Sequence, residues 1–187
     1  MKIKLVDINP QLIYAWGVLF QDALKDDVEI HHKSFTEVDY SCIVGPGNSF
    51  GHLDGGFDFL IQKAHPEAQE LLYDQIWKWH SGELNVGNAV FVGLSNDKSL
   101  IYAPTMRIPL DITGTDNVYR ATLATLNLAK FHKVQDILIP GMGCGAGLIK
   151  PAVCAYQMFL AYNRYKNPNI TPWLHAKQFH NDLMEFK

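Results

Sequence analysis

The sequence predicts an α/β fold in which helices cover both faces of a central mixed sheet, a three-layer α/β/α sandwich. Short apolar stretches typical of strands alternate along the chain with segments of helical period. The last predicted helix is apolar almost all round, which is typical of a helix with buried neighbours on several sides. Two glycine-rich loops each follow a buried strand and precede a helix, the position where open α/β sheets bind ligands.

The first part of the chain contains three predicted strands and one helix. Alternating apolar residues predict a strand over 2–6. Asn9 followed by Pro10 begins a helix, because asparagine caps free N–H groups and proline suits the first helical position. Residues 28–32 and 41–44 are predicted as short strands, and the second ends at a segment rich in glycine and proline that neither a helix nor a strand accommodates.

The remainder of the chain continues the alternation. A short helix is predicted after Gly55-Gly56, a longer one from Pro66, one capped by Asp116 and a last one from Pro151 through Tyr162. Predicted strands lie between them, over residues 86–94, 99–103 and 137–139. We find no repeat and no linker, so residues 1–187 are predicted to form a single domain, with a tail over 167–187 that is irregular before a short helix.

Composition and charge exclude several classes of function. The chain has 187 residues, 48% of them hydrophobic, and a formal net charge of -3, whereas binding to polymeric nucleic acid requires a basic surface. No apolar run approaches the roughly 20 residues that span a membrane, and no signal peptide opens the sequence. Three cysteines without paired spacing predict a cytoplasmic protein with buried thiols. The histidines show no metal-ligand spacing, so we predict neither a metal nor a cofactor.

The loop over 141–147 is the strongest local signal. Four glycines alternate there, after the strand over 137–139 and before the last helix. Glycines allow positive φ and let backbone N–H groups converge on phosphate oxygens, assisted by the following helix N-terminus. A dinucleotide-binding pattern with alanine in last place fits, but the acid expected about 20 residues further on is missing. A P-loop is excluded because Gly147 is followed by Leu148. A glycine-rich turn without a ligand remains the alternative.

The loop over 45–58 has the same setting and carries two candidate chemical groups. Asn48 offers a donor and an acceptor to a sugar hydroxyl, and Asp58 can orient or deprotonate a water molecule. The alternatives are a turn residue for Asn48 and, for Asp58, a carboxylate kept ionised by the helix dipole. Cys144 is interpreted as a small tolerated side chain rather than a nucleophile, because the sequence places no base beside it.

At these loops the sequence resembles the macro domain family, which binds ADP-ribose and in some members hydrolyses its derivatives. Residues 38–48 followed by Gly-Gly-Phe-Asp are similar to the first signature of the family, and residues 137–147 are similar to the second. Residues 82–89 resemble the family's entry to a strand, and 103–107, Ala-Pro-Thr-Met-Arg, resemble a version found in a bacterial and phage branch. The resemblance covers roughly residues 28 to 165.

The resemblance implies specific roles for the two loops. Asn48 and Asp58 are implied as the catalytic residues beside the distal ribose, with 141–148 wrapping the diphosphate. Members of the family have a Gly-Asp-Ile motif ahead of the first signature, and its aspartate reads adenine. Ser34 replaces that aspartate here, and the Asp7-Ile8 pair has the same two residues but lies too early in the sequence to align with the motif. The implied ligand-binding residues are Ser34, Phe35, Pro46, Gly47, Asn48, Gly55, Gly56, Phe57, Met142, Gly143, Cys144, Gly145, Ala146, Gly147 and Leu148.

Three functions remain in competition. The first is an enzyme that removes ADP-ribose from a linked group, or phosphate from ADP-ribose 1''-phosphate. The second is a module that binds or senses ADP-ribose without turnover, and the third is a binder of a different nucleotide diphosphate, favoured by Ser34. The implied partners are a small-molecule ligand, ADP-ribose or a derivative, and ADP-ribosylated protein.

Overall fold

A computed structural model describes residues 1–169, 171, 173 and 176. Six strands form one sheet, and five α-helices pack on it. The strands are β1 (Lys2–Asp7), β2 (Val28–His32), β3 (Cys42–Gly45), β4 (Val90–Gly93), β5 (Ser99–Tyr102) and β6 (Asp136–Ile139). The helices are α1 (Pro10–Leu19), α2 (Gly56–Ala64), α3 (Ala68–His80), α4 (Asn117–Phe131) and α5 (Pro151–Lys166). The α/β prediction is confirmed.

The strand order is β2-β1-β6-β3-β5-β4. All neighbouring strands pair in parallel except β4, which is antiparallel to β5 and makes the sheet mixed. Because parallel strands end at the same edge, the loops that follow β1, β3, β5 and β6 gather at one edge of the sheet. This edge carries both glycine-rich loops.

Two hydrophobic clusters lie on opposite faces of the sheet and produce the three layers. One contains Trp16 from α1, Val118 from α4 and Met158 from α5. The other contains Ile61 from α2 and Leu72 from α3. Each helix therefore buries one apolar face against strands that are themselves almost wholly apolar, as expected for a sheet that is covered on both sides.

Helix starts follow the predicted local chemistry at α1 and α5, whereas α3 begins at Ala68, two residues after the predicted Pro66, and α4 lacks its predicted cap. The Asn9 side chain accepts hydrogen bonds from the N–H groups of Gln11 and Leu12, at 2.9 and 3.4 Å, and Pro10 is the first residue of α1. Asp116 precedes α4 as predicted, but its carboxylate binds Arg120 Nε at 2.7 Å and does not cap the helix. An arginine one turn along the helix competes for the carboxylate and holds it.

Some element boundaries differ from the prediction. The strand predicted over 86–94 is shorter, because residues 85–88 form a turn in which Asn88 N–H bonds to Asn85 C=O and Gly87 adopts a φ of 95°. Helix α5 extends past Tyr162 to Lys166. The short helix predicted near the C-terminus falls mainly outside the described residues.

All three cysteines have free thiols. Cys42 and Cys154 are buried as predicted, whereas Cys144 is half-buried. No helix among the described residues has the length and apolar character needed to cross a membrane.

Candidate functional site

A cleft of about 280 Å³ opens at the carboxyl edge of the sheet, between the two glycine-rich loops. Three chain segments form its walls: the loop from β3 to α2, the segment after β5, and the loop after β6. The lining residues are Pro46, Gly47, Asn48, His52, Asp54, Gly55, Gly56, Phe57, Asp58, Thr105, Met106, Pro109, Gly141, Gly143, Gly145 and Ala146.

Glycines at the start of the first loop make room for two buried side chains. A Cβ atom at Gly47 would overlap both the Asp58 carboxylate and the Tyr102 hydroxyl. A Cβ at Gly45 would lie 2.8 Å from the Tyr102 ring. Gly45 is therefore required here by the bulk of Tyr102 on the neighbouring strand β5.

Asn48 uses its side chain to shape the loop that carries it. Its Oδ1 accepts from the N–H groups of Phe50 and His52, at 3.0 and 3.3 Å, and its Nδ2 donates to His52 C=O at 3.0 Å. Asn48 lines the cleft but is only 8% exposed. Three of its hydrogen bonds are thus internal, which leaves mainly one amide N–H for a ligand.

Asp58 is buried in the first turn of α2, with a relative exposure of 5%. Its Oδ2 lies 3.4 Å from the Tyr102 hydroxyl, and its Oδ1 has no hydrogen-bond partner among the described residues. Burial raises the pKa of Asp58 to about 7; the hydrogen bond from Tyr102 opposes this rise, and the nearby charge of Asp54 adds to it. The alternative of a carboxylate kept ionised by the helix dipole does not agree with this raised pKa, because desolvation outweighs the dipole.

Tyr102 connects this carboxyl group to the loop backbone. Its hydroxyl accepts from Asn48 N–H at 2.9 Å and faces two acceptors, Asn48 C=O at 3.0 Å and Asp58 Oδ2 at 3.4 Å. A hydroxyl has one proton, so it serves one of these acceptors at a time. Burial raises the pKa of Tyr102 well above its ordinary value, which keeps the hydroxyl protonated.

The segment after β5 forms a wall to which the sequence assigned no role. Thr105 N–H donates to Gly47 C=O at 3.0 Å, and Thr105 Oγ1 donates to Pro46 C=O at 2.9 Å. Ser49 N–H donates to Arg107 C=O at 3.0 Å. The Ala-Pro-Thr-Met-Arg motif therefore holds the first loop from outside the sheet, and its resemblance to a family motif was the only signal for it.

The loop after β6 is anchored at its ends and open in its middle. Gly141 N–H donates to Asp7 Oδ2 at 3.1 Å, and Ile112 N–H donates to Gly147 C=O at 3.1 Å. In the part of the chain that the structure describes, the backbone N–H groups of residues 143–147 donate no hydrogen bonds. Consecutive unpaired N–H groups beside a cleft and ahead of a helix form an anion-binding arrangement.

Different physical reasons explain why glycine occupies each of three positions in this loop. Gly143 has a φ of 72°, which favours glycine. A Cβ at Gly147 would lie 2.6 Å from Gly143 C=O, so its reason is packing. A Cβ at Gly145 meets nothing within 4 Å, and its φ is not positive. The open space over Gly145 is part of the cleft.

Several residues implied as ligand contacts do not line the cleft. Ser34 caps a short 3₁₀ turn, Phe35–Glu37, and buried Phe35 packs edge-on against Phe57 at a ring distance of 5.2 Å. Met142 is buried beneath the loop, where Thr122 Oγ1 lies 3.3 Å from its sulfur. The others outside the lining are Cys144, Gly147 and Leu148.

Two of these positions have a clear alternative role. The half-buried Cys144 packs against the core cluster under the loop, and its thiol is the largest of several influences, ahead of burial, that raise the pKa of Cys154. This agrees with a structural side chain. Leu148 is 62% exposed at a φ of 54° and leads the chain from the loop into α5.

Asp7 has a place in this edge that its sequence position did not indicate. Strand β1 lies between β2 and β6, so Asp7 stands between the end of β2 and the loop after β6. Its carboxylate accepts from the N–H groups of Asn9 and Gly141. No group of three or more His, Cys, Asp or Glu side chains in the described part of the chain is arranged to hold a metal ion.

Comparisons with known proteins agree with this architecture. The family model described as Macro domain matches residues 44–158. An uncharacterized protein of Aquifex aeolicus (strain VF5) is 35% identical over 134 residues, which cover 71% of this chain and 78% of that protein.

Solved structures of macrodomains share the fold. The macrodomain of Mycobacterium tuberculosis DarG has a TM-score of 0.59 at 17% identity, over 71% of this chain and 87% of that one. A glycine-to-valine mutant of the Oceanobacillus iheyensis macrodomain with ADPR has a TM-score of 0.62 at 14% identity, over 82% and 89%. The family match, the identity to the Aquifex relative and the shared fold lead to one conclusion: the chain belongs to the Macro domain family.

Proposed function

We propose that this domain binds ADP-ribose or a close derivative in the cleft and hydrolyses the bond at C1'' of its distal ribose. One arrangement carries the proposal: a single cleft is lined both by Gly143, Gly145 and Ala146, whose backbone N–H groups are unpaired among the described residues, and by a buried carboxyl group whose Oδ1 has no partner there. The first element suits a diphosphate, and the second suits proton transfer.

The diphosphate is bound by backbone groups in this proposal. The loop after β6 supplies N–H groups, and the N-terminus of α2 supplies a second set, because Gly55 at its cap has no side chain to satisfy them. Helix N-termini favour anions through their dipoles. The net charge of the protein, -3, is therefore no obstacle to binding an anionic ligand.

Asp58 is the proposed proton-transfer group. Because its pKa is about 7, both protonation states are populated at neutral pH, as general acid–base catalysis requires. In the proposed reaction a water oxygen bonds to C1'', the bond from C1'' to the leaving group breaks, and the electron pair goes to the departing atom. The water loses one proton and the departing atom gains one, with Asp58 as the relay.

Two further observations support the assignment. The family is that of the Oceanobacillus iheyensis macrodomain, a mutant of which was solved with ADPR. Asn48 and Asp58, implied as catalytic, both line the cleft. We infer a cytoplasmic location and ADP-ribosylated protein as a substrate source; the free thiols are compatible with a reducing compartment.

Calorimetry with ADP-ribose and AMP tests the binding part. We expect ADP-ribose to bind with a Kd of about 1 μM or lower and AMP much more weakly, because AMP lacks the second phosphate and the distal ribose. Equal affinities would contradict a diphosphate cleft. Product analysis by chromatography tests turnover, and binding of ADP-ribose without consumption of any 1''-linked derivative would favour a module that only binds or senses the ligand.

A further inference from the structure

The carboxylic acids in the described lining of the cleft have no lysine or arginine to balance them. Its described lining contains neither lysine nor arginine, and the groups able to carry charge are Asp54, Asp58 and His52. Arg107 follows the lining residue Met106 but is not part of the lining, and its side chain is bound to Glu83, with Nε and Nη2 at 2.6 and 3.1 Å from the two carboxylate oxygens. The diphosphate therefore depends on N–H groups, and the described lining offers no lysine or arginine between it and Asp58.

Asp54 adds an unneutralised negative charge at this end. The carboxylate is exposed and forms no ion pair within the described residues. Its charge contributes to raising the pKa of Asp58, Tyr102 and Tyr73, so its field extends to both the buried and the outer side of the cleft. A further anion bound here would face Asp54 directly and Asp58 when ionised.

His52 does not offset this charge by its position. Its backbone is held on both sides by the Asn48 amide, and its Nδ1 lies 2.6 Å from the Tyr73 hydroxyl. The Tyr73 hydroxyl thus occupies one of the two ring nitrogens, and only Nε2 remains for a further contact.

We propose that the group attached at C1'' of the substrate is uncharged or cationic and joined through a glycosidic bond, and that Asp54 excludes a phosphate monoester at this position. This inference rests on the function proposed above and narrows its two candidate reactions to one, the release of ADP-ribose from a linked group. Like charges that meet in a partly desolvated cleft repel each other, whereas a guanidinium or an amide beside Asp54 incurs no such cost.

Competition between three ligands tests the proposal. Calorimetry at pH 8.5 with ADP-ribose, ADP-ribose 1''-phosphate and ADP-ribosyl-arginine compares ligands that carry at C1'' a hydroxyl, an anionic group and a cationic group, respectively. We expect the 1''-phosphate to bind about 10-fold or more weakly than ADP-ribose, and the arginine derivative to bind at least as well as ADP-ribose. Asp54→Asn is expected to reduce the discrimination against the 1''-phosphate to about 3-fold or less.

A matched variant controls for net charge. Glu70→Gln removes one negative charge from an exposed position on α3 and is expected to leave the discrimination unchanged. Equal or tighter binding of the 1''-phosphate to the wild-type protein overturns the proposal, as does discrimination that survives Asp54→Asn. If ADP-ribose itself does not bind, the proposed function fails as well, which separates the two failures.

Discussion

The hydroxyl of Tyr102 lies 3.4 Å from Oδ2 of Asp58, in space that Gly47 leaves free by having no side chain. These two residues are 44 positions apart and come from β5 and the first turn of α2. The contact joins a proton-donating hydroxyl to a carboxyl group with a pKa of about 7, and it lowers that pKa against the larger effect of burial. A residue of the sheet thus moderates the rise in the pKa of Asp58 that burial causes.

Tyr102→Phe is expected to shift the pH dependence of hydrolysis. Without the hydroxyl, the pKa of Asp58 rises further, so the limb of the kcat profile that reports Asp58 moves to higher pH. Thr105→Val is the control, because it removes a different hydroxyl that holds the same loop through Pro46. An equal shift of the pH profile of kcat in both variants would mean that displacement of the loop, and not loss of the Tyr102 hydroxyl, causes the shift.

Asp58→Asn is expected to reduce hydrolysis by about 100-fold or more while ADP-ribose binding changes little.

The same variant tests whether burial raises the pKa of Asp58. The folded state holds a proton up to about pH 7, whereas the carboxyl group titrates near 3.8 when exposed, so stability falls as pH rises between these values. We expect the Tm gain of the variant over wild type to be larger at pH 8 than at pH 5, by about 2–4 °C or more. An equal difference at both values would contradict the raised pKa.

Gly145→Val is expected to abolish ligand binding in a folded protein. The added side chain meets no protein atom near its Cβ and occupies the space in front of the N–H groups. Gly93→Val is the control, since its Cβ position at the end of β4 is equally open and is not part of the cleft lining. Gly147→Ala is expected to lower the Tm instead, because its Cβ would lie 2.6 Å from Gly143 C=O. Unchanged affinity of the Gly145 variant would remove this loop from the site.

Asn48→Ala is expected to weaken both binding and turnover, because the loop loses three internal hydrogen bonds. Asn48→Asp separates the contributions. It keeps acceptors for the N–H groups of Phe50 and His52 and loses the donor to His52 C=O, so we expect an intermediate Tm. Calorimetry and thermal melts on both variants measure this. An unaltered Tm for Asn48→Ala would show that the bonds contribute nothing to the fold.

Ser34→Asp tests the position implied to read the base. Aspartate keeps the capping function of Ser34 at the 3₁₀ turn, and its carboxylate accepts from an adenine amino group but repels the carbonyl oxygen of hypoxanthine. We expect preference for ADP-ribose over its inosine counterpart to increase. A constant affinity ratio would mean that the base is bound elsewhere, for example nearer to Asp7.

Local chemistry explains what the sequence predicted well. Helix α1 begins at Asn9-Pro10 because cap and proline act within a few residues, and the alternation of short apolar stretches with helical periods is enough to indicate a covered sheet. The burial of Asp58 was not predictable in this way, because it depends on Tyr102 from another strand. The cleft wall formed by residues 105–109 and the hydrogen bond between Asp7 and Gly141 also depend on the order of strands in the sheet. No local sequence pattern predicts that order.

The location of β1 determines when the cleft forms during folding. Ile3 pairs with Val28 on one side and with Ile137 on the other, and Lys4 binds Asp136 at 2.9 Å. Strand β1, the first strand of the sheet in the sequence, therefore pairs on one side with β6, the last. Contacts of such long sequence separation form slowly. Until then Gly141 has no Asp7 to bind. The cleft thus needs the first and the last strand of the sheet in place together, and we expect ligand binding to begin only when the whole sheet has formed.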